Sequence, residues 1–150
     1  MTRFFDLASV PGIRRWLSGK HGSVWDYLRV NGGAELAVAF TALYWPGFIE
    51  VDECVLLREN YQPRNFDEWW KELRGDRSRV EEIINHVHLW DLFDMDEAAV
   101  PNEGMEELGR ILSLTWKCAL HHQFPERKFE VHLALDDSEY GPTLSFYTSR

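Results

Sequence analysis

Between Gln123 and Lys128 the apolar residues of this chain change their period, and that change constrains the fold more than any other feature. Upstream, from about Glu103 to His121, Leu108, Ile111, Leu112, Thr115, Trp116 and Ala119 recur at the spacing of one helical stripe. Downstream, Phe129, Val131, Leu133 and Leu135 alternate with Glu130, His132 and Ala134, as in a strand with one covered face. "DDSEYGP" then supplies a turn, and Leu144 and Phe146 return with the same alternation. A long helix that feeds a C-terminal β-hairpin (about 128–148) predicts an α+β fold. The chain reads as a helix-rich single globular domain over residues 1–150 with a small antiparallel sheet.

The remaining segments read as short helices set apart by breakers. Ser9 is placed to cap a helix with Pro11 in its first turn, ending near Ser18. Gly19 and Gly22 interrupt the chain, Ser23 opens a second helix through "VWDYLRV", and "NGG" closes it. "AELAVAFTALYW" is apolar after Glu35 apart from Thr41, which predicts a buried helix stopped by Pro46 and Gly47. "FIEVDECVLLREN" predicts a strand, or a tight hairpin turning at Asp52 and Glu53, with which the final hairpin would pair. Asn65 and Glu68 have the spacing of a capping box for "FDEWWKELRG". Asp76 can cap the next helix, where Val80, Ile83, Ile84 and Val87 fall at helical spacing. Gly109 lies off the centre of the long helix's stripe.

At 150 residues the chain can bury roughly 68–70% of its unfolded surface, so neither a disulfide nor a metal is needed to hold it. Cys54 and Cys118 sit in apolar stretches far apart and read as two buried thiols of a cytoplasmic protein. No apolar run precedes Pro11, so no signal peptide is expected. The stretch from Leu36 to Ile49 is broken by Pro46 and Gly47 and falls short of the about 20 residues that span a bilayer. The net charge of −9 is uneven. Residues 1–32 sum to +3, whereas Asp91, Asp94, Asp96, Glu97, Glu103, Glu106 and Glu107 make 91–107 a run of −7. Such a chain repels nucleic acid and membrane surfaces and suits basic partners.

Motifs for chemistry are scarce. "NHVH" places His86 and His88 one residue apart, and a metal needs both rings on one side. On a helix continued through Val87 they would point about 200° apart, so no metal is expected there. Cys118 and His122 stand at i and i+4, a spacing that suits zinc, but no second ligand pair accompanies them. No G-x-S-x-G, H-E-x-x-H, P-loop or G-x-G-x-x-G is present, and neither acidic loop has the spacing of an EF-hand. The balance is against an enzyme, and no cofactor is implied. On the hairpin, Glu130, His132, Thr143, Ser145 and Tyr147 are expected outward, with Glu130, His132 and Tyr147 forming a candidate ligand-binding group.

The acidic run offers the more concrete expectation. It begins beside Trp90 and Phe93, candidate anchors with Asp91, Asp94, Asp96 and Glu97 around them. This predicts a protein-interaction module for a basic protein partner, with Trp90 or Phe93 seated centrally. A small, acidic chain with seven tryptophans and no catalytic motif resembles bacterial immunity proteins, which neutralise partner toxins. The resemblance is one of composition and covers no motif. The alternatives are a small metal- or ligand-dependent enzyme and an accessory subunit of a larger assembly, and the last should expose apolar area and self-associate when alone. Trp69 and Trp70 suit core and interface equally.

Overall fold

The computed structural model describes residues 5–19, 22–93, 100–135 and 141–149. Its N-terminal part is three short helices. A 3-10 turn at Leu7–Ser9, capped by the Asp6 carboxylate, leads into α1 (Pro11–Leu17). Ser9 belongs to that turn and does not cap α1, which starts on Val10 and the preset φ of Pro11. Ser23 does cap α2 (Val24–Asn31), accepting the Asp26 N–H at 3.1 Å. Gly32 and Gly33 then turn the chain into α3 (Ala34–Tyr44).

β1 (Phe48–Val51) and β2 (Cys54–Leu57) form a two-residue hairpin, with Val51 opposite Cys54. Asp52 and Glu53 both hold positive φ, 47° and 66°, which is the twist such a loop demands. After a 3-10 turn at Arg58–Asn60 come α4 (Pro63–Glu72) and α5 (Arg77–Ile84). The capping box expected at Asn65 is not formed. Pro63 already supplies a preset φ at the first position, and Gln62 is an N-cap without a side-chain bond. Asp76 caps α5 as its sequence suggests, accepting from the Arg79 N–H.

α5 ends at Ile84, so Val87 is not part of it. Asn85 closes the helix and Val87–His88 form β3. A 3-10 turn at Leu89–Leu92 follows, and then α6 (Asn102–Gln123), β4 (Phe129–Ala134) and β5 (Thr143–Thr148). β4 and β5 make the expected antiparallel hairpin, in register from Phe129 opposite Thr148 to Ala134 opposite Thr143. The fold is helix-rich α+β. Among the described residues no helix is long and apolar enough to cross a membrane.

The hairpin does not pair with residues 48–58. It forms its own sheet in the order β3–β5–β4, and β1–β2 is separate. A side chain of α5 and that of its C-cap stand where the missing ladder would be. Glu81 accepts from the N–H of Val55 on β2 at 2.7 Å and from the N–H of Thr148 on β5 at 2.6 Å. Its Oε1 also accepts from the Thr148 hydroxyl. One turn later Asn85 accepts from the Leu57 N–H at 2.8 Å and donates to the carbonyls of Val55 and Phe146. Both side chains are fully buried. A buried strand edge needs partners for its backbone groups, and here a helix supplies them for two strands at once.

β2 is buried on both faces. Val55 and Leu57 join the main core with Phe48, Leu112, Trp116, Leu120, Val131 and Phe146. Cys54 and Leu56 turn the other way, into a second cluster with Phe66, Val80 and Ile84. Trp69 and Trp70 line that second cluster half-buried, and Trp70 stacks on Phe66. α6 buries Met105, Gly109, Leu112, Trp116, Ala119 and Leu120. This face is rotated from the expected stripe, leaving Ile111 exposed, because the helix approaches the sheet along its thinnest side. A Cβ on Gly109 would meet the Leu133 and Leu89 side chains. Thr143 and Ser145, expected outward, are buried because β5 is the central strand and α5 packs along it.

Candidate interaction surface

The sequence predicts a buried α3, and the structure overturns that. None of its eleven residues is buried. Leu43, with Phe40 beside it, ties the helix down. Leu43 packs on the main core and its carbonyl accepts the Trp116 indole N–H at 2.8 Å, while Phe40 meets Phe93 at 6.2 Å between ring centroids. Trp45, just past the helix, lies edge-on to His122. The rest faces solvent, with Leu36 55% and Val38 68% exposed. α2 continues the pattern through Leu28, Val30 and Trp25, the last 81% exposed. The all-round apolar character that argues for burial comes in good part from Ala34, Ala37, Ala39 and Ala42, which have little to bury. That composition was the available signal, together with the glycine pair that detaches α3 from α2.

The aromatic anchors expected from sequence are partly open. Trp90 and Phe93 are half-buried and pack against the main core. Trp90 lies directly over Gly141, where a Cβ would overlap the indole. Asp91 is exposed, while Asp94, Asp96 and Glu97 lie outside the described residues. Of the later acids, Glu106 and Glu107 are tied to Arg110 at 3.0 and 3.5 Å, which leaves Glu103 without an ion pair among the described residues.

The structure does bring Glu130, His132 and Tyr147 together on one side of the hairpin. Glu130 stands opposite Tyr147, and the rings of His132 and Tyr147 are 5.7 Å apart. With Thr143 and Ser145 buried, that face is narrower than expected.

A polar cleft of about 610 Å³ opens beside β5 and the start of α5, lined in part by Arg74, Arg77, Ser78, Arg127 and Glu81. Its charges are mostly satisfied internally: Arg77 pairs with Glu53 at 2.9 Å and Arg127 with Glu50 at 2.7 Å. The Thr148 hydroxyl in its lining donates to Glu81, whose carboxylate also accepts the backbone N–H groups of Val55 and Thr148.

Cys118, expected buried, is exposed, as is His122, because both lie off the rotated buried face of α6. Cys54 is buried, and its thiol is pushed up to about 12, first by burial and then by the negative charge of Glu81. Among the described residues no group of three or more His, Cys, Asp or Glu side chains could hold a metal ion. His86 and His88 nevertheless converge, with their Nε2 atoms 3.2 Å apart. The helix that would have splayed them ends before they begin.

In comparisons with known proteins, no family model, no curated protein and no solved structure matches this chain.

Proposed function

We propose that this chain is a protein-interaction module that docks the apolar face of α2 and α3 onto a basic protein partner. The observation that carries the reading is α3, an apolar helix with no buried residue. Exposed apolar surface on this scale marks interaction sites in soluble chains. The net charge of −9 favours a basic partner and speeds its approach, while the stretch that holds α2 (residues 1–32) sums to +3, so the attraction comes from the rest of the chain. An immunity-type inhibitor that occludes a cationic toxin surface is the concrete form of this reading. The same bare helix also favours an accessory subunit, which would be covered permanently instead of on encounter.

The test is the pair of substitutions Leu36→Glu and Val38→Glu in one variant. Its melting temperature should match that of the unchanged chain, because neither side chain is buried. A basic protein retained by the unchanged chain, released by raised salt and lost from this variant is the expected result. Equal retention by the variant would remove α3 from the interface. Self-association of the unchanged chain in analytical ultracentrifugation, abolished in the variant, would assign the face to the subunit reading.

A further inference from the structure

Away from the α2–α3 face, the side chains best arranged for binding are His86 and His88. Asn85 closes α5, and the backbone beyond it is extended through β3, so residues two apart project to the same side. Asn60 braces this exit by donating to the Ile84 carbonyl at 2.9 Å and, more distantly, to that of His86. The two imidazoles are therefore placed by the fold. We propose that they form a zinc-binding pair, with two coordination positions left to solvent or to a donor from another molecule. This does not rest on the docking proposal.

The distances choose the ion. Two nitrogens at a Zn–N length of about 2.0–2.1 Å and a tetrahedral angle stand about 3.3–3.4 Å apart, whereas a right angle brings them to about 2.8–3.0 Å. The observed 3.2 Å lies nearer the tetrahedral value. The ring centroids are only 4.7 Å apart and the planes are inclined by 71°. Rings meeting end to end in a linear N–H···N bond would hold their centroids farther apart, so the contact is a bent one that a shared proton or a shared ion would both satisfy. The Nδ1 atom of His88 is enclosed without a hydrogen-bond partner among the described residues. Nε2 is thus the nitrogen that His88 presents outward, and His86 is exposed beside it. With two protein ligands instead of the three or four of catalytic and structural sites, the ion would be exchangeable.

The experiment is calorimetric titration of the full chain with zinc chloride at neutral pH, alongside His86→Ala, His88→Ala and Cys118→Ser. One zinc per chain is expected. Because outer-shell changes alone cost about 10–100-fold in metal affinity, losing either ring should weaken binding at least about tenfold. Cys118→Ser should leave it unchanged, which separates this pair from Cys118 and His122. In nitrogen-15 spectra zinc should move the Nε2 resonances of His86 and His88 together. His86 is exposed, so His86→Ala keeps the fold and decides the matter even if His88→Ala does not fold. Absence of zinc uptake, or uptake that His86→Ala leaves unmoved, would overturn the proposal.

Discussion

Cys54 and Cys118 share a residue type and little else. Cys54 is fully buried beside Glu81, and its thiol is raised to about 12 from an ordinary value near 9. Cys118 is open to solvent on α6. A maleimide at pH 8 should therefore modify one thiol per folded chain and two in denaturant, because the thiolate is the reactive form. Incorporation of two labels into the folded chain would show that Cys54 is accessible. The pH dependence follows from the same shift. Below pH 9 both folded and unfolded thiols hold their protons, and the Cys54 contribution is constant. From about 9 to about 12 only the unfolded chain gives up this proton, so the folded state loses ground as pH rises. The stability difference between the natural chain and Cys54→Ala should shrink across that interval, as read by denaturant titrations at each pH. The sequence places both cysteines in apolar stretches and cannot separate them, because exposure on α6 depends on which face meets the sheet.

Among the elements, α3 depends on very little. Trp116 is 2% exposed and its indole N–H holds the Leu43 carbonyl, so it joins α6 to α3 as well as filling the core. Trp116→Ala should cost roughly 3–5 kcal/mol in chemical denaturation and release α3 from α6. A loss well under 1 kcal/mol would mean that the core does not rest on this ring. The elements themselves were largely legible. The C-terminal hairpin, the caps at Ser23 and Asp76 and the long helix all follow from period and capping chemistry. Their faces were less so. A stripe centred on Leu108, Ile111 and Leu112 counts apolar residues, whereas the real contact is set by clearance at Gly109, which only the partner's shape reveals. His86 and His88 turned on one boundary. With α5 three residues longer the pair would be splayed, and helix ends are the least certain feature of a periodic pattern.

At the scale of the molecule, the two sheets are joined through α5. Glu81 is the acceptor for backbone N–H groups on both, and leaving such donors unpaired costs roughly 1–3 kcal/mol each. Glu81→Ala should therefore destabilise the chain by about 2–5 kcal/mol and sharply raise amide exchange at Val55 and Thr148 together. Exchange that rises at only one of the two would show that the sheets are independent. No strand pattern could announce this joint, since a buried Glu and Asn four residues apart look like an ordinary helix flank until both strands are in place. The acidic run is legible only as a charge sum; the bare face of α3 was hidden by the usual inference from apolar helix to core. That face also bears on how the chain would be kept in balance in a cell. A copy whose docking face is uncovered displays the same surface by which chaperones and proteases recognise an unfolded protein. If a partner normally covers α3, surplus chains are the ones that remain marked for removal. The level of this protein would then track its partner's supply, without a separate regulatory element.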